Sequence, residues 1–310
     1  MGSRTTIVLY RRCEVELCTH SHGEADLQRA FIMCSKNPGH EDFIPVYKFR
    51  KEHLPKGFQN SCLMELIQVL SDLTVRVSVQ YTSENRPETC PHNGTPYPFY
   101  RQRDTNMVRT GTGWVWNLEK FSQMYDMKTC PCLQCRLSEN PETKWAEIVI
   151  GSAAHVVFDD KEGRHTTCHL FYDKGSTPEE DKCKMIYITH DMELADRLES
   201  LTKRFVDLQK ILNQMFNSKL DSVEMQSRLI VSHPHGCNKQ ISIGYYTERV
   251  EVKDARNLTR YVYTTPTCPG SSGAPVYVLG RWRGWWPCDH PHSGNSDVNK
   301  ELNFSGVGLH

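Results

Sequence analysis

Short strand-like runs rich in apolar residues recur through the last two-thirds of the chain, and turn-forming residues separate them. The runs are GTGWVW, WAEIVIGSAAHVVF, TTCHLFYD, CKMIYIT, RLIVSHPHG, QISIGYY, RYVYTT and APVYVLG. A period of two places alternate side chains on opposite faces of a strand, and many short strands between turns are typical of an all-β barrel or sandwich. The pattern therefore predicts a mainly β region over residues 96–310.

One segment of this region has a helical period instead. Between Leu194 and Met215 the apolar residues alternate spacings of four and three, which is the seam of an amphipathic helix. We expect a helical insertion over about residues 191–217. The seam either packs on its own barrel, which we favour, or forms a coiled coil with a second copy or another partner.

The first third of the chain follows another pattern. It contains a strand-like TIVLY, an apolar helix candidate CLMELIQVL and an alternating VRVSVQY. Residues 1–95 are therefore predicted to form an N-terminal α+β extension. The turn-rich segment SENRPETCPHNGTPYP follows and marks the boundary with the β region.

Composition narrows the functional classes. The 310 residues are 38% hydrophobic, which is enough for a real core, and 37 Lys and Arg balance 37 Asp and Glu. The neutral balance provides no overall field toward nucleic acid, so we expect no nucleic-acid partner. The absence of a long apolar run or a secretory leader predicts no membrane span and a cytoplasmic location. In such a chain the 13 cysteines favour reduced thiols or a metal over a disulfide framework.

The segment TCPGSSGAPVY joins two strand-like runs through a Gly-Ser-Ser-Gly corner. Such a corner predicts unusual backbone dihedrals at Gly270 and Gly273, with the hydroxyl of Ser272 at the tip. The N–H groups of Gly270 and Ser272 can converge on one point, as an oxyanion hole requires. Ser272 is therefore a candidate nucleophile.

A serine nucleophile needs a base to accept its proton. His155 follows an apolar strand and a run of small residues, which would bring an imidazole to a strand end. An acid that orients the imidazole completes a triad, and Asp181 directly precedes the apolar strand CKMIYIT. Asp191, after that strand, is the alternative acid.

Four motifs in this order resemble the trypsin/chymotrypsin-like serine peptidases, especially the compact branch that includes the high-temperature-requirement proteases. They are GTGWVW at 111–116, GSAAHVVFD at 151–159, SHPHG at 232–236 and CPGSSGAPVY at 268–277. The resemblance covers about residues 105–310 and implies a trypsin-like double β-barrel with a cleft between the barrels. It also implies a serine endopeptidase in which His155 is the base, Asp181 the orienting acid and Ser272 the nucleophile. Protein or peptide substrates follow from it.

The chain departs from the family pattern beside the nucleophile. Ser271 stands where the family usually has Asp, and Ala274 stands where it usually has Gly. The resemblance also implies a substrate pocket with Pro266 at its floor and Ser293 and Gly294 on its wall. With no carboxylate at that floor, we expect the pocket to prefer an apolar or aromatic side chain over Arg or Lys.

Cysteines form the second candidate site. Cys130, Cys132 and Cys135 lie within six residues, and Cys168 follows in a later strand. Four thiolates satisfy a structural zinc, so we predict a structural zinc here, with free thiols and disulfides as alternatives. No cofactor is expected for catalysis. A weaker metal set comprises Cys13, Cys18, His20 and His22.

Two other functions remain open at this point. One is a catalytically inactive barrel that acts as a protein-interaction module, and the other is a zinc-dependent nucleic-acid binder. The Arg- and Trp-rich LGRWRGWWP at 279–287 could stack bases, although such a hairpin is usually a barrel wall or part of a substrate cleft. No HExxH and no phosphate-binding GxxxxGK[ST] occurs in the sequence.

Overall fold

The computed structural model describes residues 11–18, 24–90, 94–169, 176–177, 182–216, 227–251, 258–279, 290–296 and 299–309. The strands among them are β1 (Arg11–Cys13), β2 (Glu16–Cys18), β3 (Ile44–Pro45), β4 (Thr74–Val79), β5 (Val108–Ser122), β6 (Lys144–Ser152), β7 (Thr166–Cys168), β8 (Ser176–Thr177), β9 (Lys182–Thr189), β10 (Ser227–Ser232), β11 (Gln240–Glu251), β12 (Leu258–Tyr263), β13 (Val276–Val278), β14 (His292–Ser296), β15 (Asn303–Ser305) and β16 (Gly308–Leu309). The α-helices are α1 (Glu24–Ile32), α2 (Ser61–Leu73), α3 (Gln123–Asp126), α4 (Leu133–Arg136), α5 (Asp160–Arg164) and α6 (Met192–Phe216).

These strands form two antiparallel sheets. The first has the order β7-β4-β5-β6-β9-β8, with β2 also paired to β5. The second has the order β1-β14-β15-β12-β11-β10-β13, with β16 on β12 and β3 on β11. The predicted mainly β fold is confirmed, with its strands arranged in two sheets. Helix α6 lies between β9, the last strand of the first sheet in chain order, and β10 of the second sheet.

Strand β5 is a long, largely buried strand within the first sheet. Its residues from Arg109 to Val115 are buried, and it pairs with β4 on one side and β6 on the other. Val115, Ile148 and Ile150 contribute from β5 and β6 to the main hydrophobic core.

The inserted helix has nearly the bounds that its heptad pattern predicted. Its buried seam comprises Leu198, Phe205, Leu208 and Leu212, which join the main core of the chain. The helix packs on α2 and β5, and Arg204 on its surface forms an ion pair with Glu65 of α2 at 2.6 Å. The seam is thus buried within its own chain. A dimer or partner bound through residues 194–215 stays a prediction.

The N-terminal extension contributes strands to both sheets. Strands β1 and β3 join the second sheet, whereas β2 and β4 join the first. Helix α2 covers the core with its face of Leu63, Leu66, Ile67 and Leu70, and Asn60 caps its first turn by accepting a hydrogen bond from the Leu63 amide. The domain boundary at residue 95/96 stays a prediction. No helix within the described ranges is long and apolar enough to cross a membrane.

Candidate active site

The loop that carries Ser272 connects β12 to β13 and turns at two glycines. Gly270 has φ 94° and Gly273 has φ 88°, which confirms the dihedrals predicted from the Gly-Ser-Ser-Gly corner. A Cβ atom at Gly270 would lie 2.4 Å from the His233 carbonyl oxygen, and one at Gly273 would lie 2.1 Å from that of Thr112. Any larger residue at either position would therefore displace the loop.

Thr112 and Ser271 hold this loop in place. The Thr112 hydroxyl donates to the Gly270 carbonyl at 2.8 Å, and the Thr112 amide donates to the Ser272 carbonyl at 2.8 Å. The Ser271 hydroxyl accepts from the Cys268 amide at 3.2 Å and lies 3.1 Å from the Ser232 hydroxyl. Because Thr112 belongs to β5, the first sheet fixes the serine loop of the second. The uncharged Ser271, which stands where trypsin-like peptidases usually have Asp, supports the loop through these two contacts.

His155 lies in the turn that follows β6, and the structure brings it to Ser272 across 117 residues of sequence. Its Nε2 atom is 2.8 Å from the Ser272 Oγ atom. Both side chains are buried. Behind the turn, Glu162 forms ion pairs with Arg86 at 2.6 Å and with Arg109 at 2.5 Å. These three buried charges were not predicted from the sequence.

The acid of the triad stays a prediction. Asp181 lies outside the described residues. Asp191, the alternative, is exposed, and its Oδ1 atom accepts a hydrogen bond from the Leu194 amide at 2.9 Å, so it caps the start of α6. That position does not fit an orienting acid, and Asp181 remains our prediction.

The two amides predicted to form an oxyanion hole point at one atom. The amides of Gly270 and Ser272 donate to the carbonyl oxygen of Glu14, at 2.8 and 3.1 Å. The Glu14 amide in turn donates to Ser272 Oγ at 3.0 Å. A residue of the N-terminal extension thus lies against the nucleophile. The sequence carried no signal of this contact.

Of the three predicted pocket residues, Ser293 and Gly294 lie beside Ser272 and strand β1, whereas Pro266 has another contact. The Ser293 carbonyl oxygen lies 3.0 Å from Ser272 Oγ, and Gly294 is opposite Cys13 in the β1–β14 ladder. The Pro266 carbonyl instead accepts from Ser242 at 2.7 Å. The neighbour of Pro266, Thr267, is the residue that faces the Glu14 side chain.

The pocket around Glu14 is polar, whereas the sequence favoured an apolar or aromatic side chain; the cleavage specificity stays a prediction. Its carboxylate meets Lys36, Thr267 and His292, and the Glu14 residue is 2% exposed. Burial alone would raise the pKa of Glu14, but the Lys36 ammonium and the His292 hydrogen bond outweigh it and lower the pKa to about 2. The carboxylate is therefore ionised at neutral pH. Burial also lowers the pKa of His292.

The cysteine cluster contains three of its four predicted members. The Sγ atoms of Cys130, Cys132 and Cys135 lie 3.2, 3.8 and 3.5 Å from the Nε2 atom of His190. Cys168 is elsewhere: its Sγ atom accepts a hydrogen bond from the Tyr187 hydroxyl at 2.7 Å, inside the main core. Cys168 as the fourth ligand was therefore wrong. Strand β7 pairs with β4 and carries the thiol away from the cluster.

The weaker metal set and the Arg- and Trp-rich segment lie partly or mostly outside the described residues. His20 and His22 of the weaker metal set lie outside the described residues, as do residues 280–289, most of the Arg- and Trp-rich segment. Cys13 ends β1 and Cys18 ends β2. A second group of potential ligands, which sequence reasoning missed, comprises Cys34, His40, His235 and Cys268.

Comparisons with known proteins give weak likenesses only. No family model matches the chain, and the search of curated proteins finds no match. Among solved structures, the chain is similar to the active form of the Rv3671c protease from M. tuberculosis at 12% identity, with 80% of this chain and 82% of that chain covered and a TM-score of 0.39. It is also similar to the HtrA-type protease AlgW with a decapeptide (9% identity, 80% and 64% covered, TM-score 0.38) and to Deg5 (12%, 81% and 90%, 0.34). At these values similarity is not an argument about activity, which must rest on the site.

Proposed function

We propose that the protein is a serine endopeptidase that hydrolyses peptide bonds of protein or peptide substrates through an acyl-enzyme. Ser272 is the nucleophile, His155 the base and Asp181 the acid that orients the base. The observation that carries the proposal is the 2.8 Å contact between His155 Nε2 and Ser272 Oγ, beside two amides that converge on one oxygen.

Each part of the site has one task in the reaction. The Nε2 atom of His155 takes the hydroxyl proton as Ser272 Oγ attacks the substrate carbonyl carbon, and it later gives a proton to the leaving amine. The amides of Gly270 and Ser272 stabilise the oxyanion that forms. Loss of one such donor typically costs about 3 kcal/mol of transition-state stabilisation. Water then hydrolyses the acyl-enzyme, with His155 again as the base.

Reaction with a fluorophosphonate probe tests the proposal. Covalent labelling should be lost in Ser272→Ala and His155→Ala, and it should persist in Ser200→Ala, a matched change at an exposed serine of α6. Because Glu14 lies against the nucleophile, Glu14→Lys should label faster than the parent chain: it places a second ammonium beside Lys36 and expels the segment. Folded protein that stays unlabelled in both the parent and Glu14→Lys would favour an inactive barrel that serves as an interaction module.

We also propose a structural zinc held by Cys130, Cys132, Cys135 and His190. Their ligand atoms all lie within 4.8 Å of one another, and three thiolates with one imidazole form a closed tetrahedral set. Cys130 and Cys135 are packed with Phe121 and Trp145, which shield the group from water. The zinc would fasten the connection between β5 and β6 to the end of β9.

A further inference from the structure

An extended segment of the N-terminal extension passes through the cleft between the two sheets. Strand β1 pairs antiparallel with β14 of the second sheet, with Cys13 opposite Gly294. Strand β2 pairs with β5 of the first sheet, with Glu16 opposite Thr110. The chain crosses from one sheet to the other at residues 14 and 15, which are both buried. Residues 11–18 thus lie as a peptide would lie across both halves of the cleft.

The main chain of Glu14 has the contacts expected of the residue on the acyl side of a scissile bond. Its carbonyl oxygen accepts from the Gly270 amide at 2.8 Å and from the Ser272 amide at 3.1 Å. This is the position in which the oxyanion of a tetrahedral intermediate forms. The Glu14 amide is 3.0 Å from Ser272 Oγ. The peptide bond presented to the nucleophile is therefore the one between Glu14 and Val15.

The side chain of Glu14 fills a pocket built for a carboxylate. Its Oε1 atom is 2.5 Å from Lys36 Nζ, and its Oε2 atom is 2.5 Å from the Thr267 hydroxyl and 2.6 Å from His292 Nε2. The Tyr263 hydroxyl lies 2.7 Å from the other nitrogen of His292. Burial raises the pKa of Tyr263, so this hydroxyl remains a donor and leaves the proton of His292 on Nε2, facing Glu14.

A second layer of contacts orients the pocket. The Asn303 side-chain oxygen accepts from Lys36 at 2.8 Å, and the Asn303 amide group donates to the Thr265 carbonyl at 2.8 Å. Each donor that reaches the Glu14 carboxylate is thus held by the second sheet or by the N-terminal extension. A site with fixed donors discriminates sharply against a side chain that leaves them unpaired.

We propose that this cleft selects glutamate on the acyl side of the scissile bond, and that residues 11–18 are its intramolecular substrate, cleaved between Glu14 and Val15. The inference rests on the proposed serine peptidase function and names its substrate class. Other side chains fit less well. A lysine would face Lys36, and a leucine would remove the carboxylate that Lys36 and His292 Nε2 contact. A glutamine would remove the charge that pairs with the ammonium.

The cleavage balances without any group beyond water. Ser272 Oγ bonds to the Glu14 carbonyl carbon, and its proton moves to His155. The bond from that carbon to the Val15 nitrogen then breaks, and His155 gives the proton to the new amino terminus. Water cleaves the ester, which leaves a carboxylate on Glu14 and restores the serine hydroxyl. The products are the peptide 1–14 and a chain that begins at Val15.

Intact-mass analysis of the purified full chain tests the cleavage. The wild-type chain should convert over time to the two masses of residues 1–14 and 15–310. Ser272→Ala should remain whole, and Glu14→Gln should slow the conversion by at least about tenfold. Glu52→Gln, the same chemical change at an exposed position, should convert at the wild-type rate. Conversion in Ser272→Ala would show that another protease cuts the chain and would overturn the proposal.

Four fluorogenic peptides that differ only in the residue before the scissile bond test the specificity. We expect the Glu peptide to exceed the Gln, Leu and Lys peptides in kcat/KM by at least about tenfold. A chain that labels with the fluorophosphonate but prefers Leu or Lys overturns the inference and leaves the peptidase function intact. A chain that cleaves the Glu peptide yet keeps its own Glu14–Val15 bond overturns the self-cleavage alone. If the chain neither reacts with the fluorophosphonate nor cleaves any of the peptides, both the peptidase function and the glutamate specificity are overturned.

A separate cluster carries a second proposal. The buried residues Cys34, His40, His235 and Cys268 place one potential ligand atom each within 4.8 Å of one another. The two Sγ atoms are 3.6 Å apart, and two sulfurs on one tetrahedral zinc are separated by about 3.8 Å. His235 Nδ1 lies 2.6 Å from a Glu16 carboxylate oxygen, which leaves the buried Nε2 atom as the ring nitrogen that can face the cluster.

The geometry points to a structural zinc with two thiolates and two imidazoles. A carboxylate on the far nitrogen of a ligating histidine fixes its ring and its tautomer, which is the role open to Glu16. The zinc would join Cys34 of the N-terminal extension to Cys268, four residues before Ser272, and so fasten the extension to the nucleophile loop.

Metal content measured on the purified chain tests this site separately from the Cys130 cluster. The wild-type chain should carry two zinc ions, one in each cluster. This content can be measured on the wild-type chain alone. Cys34→Ser and His40→Gln should each lose one zinc, and Cys62→Ser, a partly buried thiol outside both clusters, should lose none. The proposal is overturned if the wild-type chain carries one zinc and His40→Gln keeps it. It is also overturned if the intact mass is two hydrogens below that of the reduced chain because Cys34 and Cys268 form a disulfide.

Discussion

The two terminal guanidinium nitrogens of Arg86 each lie 3.2 Å from the backbone carbonyl oxygen of His155, in hydrogen-bonding geometry. The same guanidinium binds both carboxylate oxygens of Glu162, at 2.6 and 2.7 Å. The turn that presents the imidazole to Ser272 is therefore anchored on a buried charge from the N-terminal extension. The backbone of the base, as well as its side chain, has a fixed position.

Removal of this anchor should destabilise the fold and misplace the base. Arg86→Ala leaves Glu162 with Arg109 as its partner and leaves the His155 carbonyl short of a donor. Breaking a buried ion pair typically costs about 3 to 5 kcal/mol, which urea unfolding in a Ser272→Ala background would measure. Arg103→Ala, at an exposed arginine, is the control. A change below about 0.5 kcal/mol in Arg86→Ala would contradict the anchor.

The buried carboxylate of Glu14 should make stability depend on pH. Its pKa falls from 4.5 to about 2 in the folded chain, so its contribution is fully present above pH 4.5 and is lost as the pH falls through 2. The shift corresponds to about 3 kcal/mol. The difference in unfolding free energy between Ser272→Ala and Ser272→Ala/Glu14→Gln should shrink by about this amount between pH 6 and pH 2. A difference that is independent of pH would place the carboxylate in water.

The two candidate acids should separate on replacement. Asp181→Asn should lower kcat by about 10⁴, because a histidine without its acid adopts the wrong tautomer. Asp191→Ala removes the cap of α6 and should cost about 1 kcal/mol of stability while labelling of Ser272 continues. Probe labelling together with thermal unfolding distinguishes the two outcomes. Lost labelling in Asp191→Ala alone would reverse the assignment.

The corrected ligand set at the Cys130 cluster gives a direct metal prediction. Cys132→Ser should lose one zinc relative to the parent chain and should lower the melting temperature. Cys168→Ser should retain the full zinc content, because its thiol bonds to Tyr187 and burial raises its pKa to about 12. Metal analysis after gel filtration measures both. Zinc lost from Cys168→Ser and retained in Cys132→Ser would restore the set proposed from sequence.

Much of the fold was readable because it depends on local periodicity. The heptad spacing predicted a helix over residues 191–217, and the structure has Met192–Phe216. The Gly-Ser-Ser-Gly corner required positive φ at Gly270 and Gly273, since an added Cβ would clash at both. The three close cysteines predicted a cluster of ligands. Its fourth member, His190, directly follows the apolar strand β9, a signal that was available and that pointed to a strand end.

The sequence alone determined the strand periods, the inserted helix, the corner that holds Ser272 and the histidine at a strand end. Tertiary structure alone decided which distant residues meet them: Glu14 at the oxyanion amides, Arg86 behind His155 and His190 beside the cysteines. The reason is physical. Period and backbone dihedrals are set within a few residues, whereas these contacts span 55 to 258 residues and depend on the pairing of strands within two sheets.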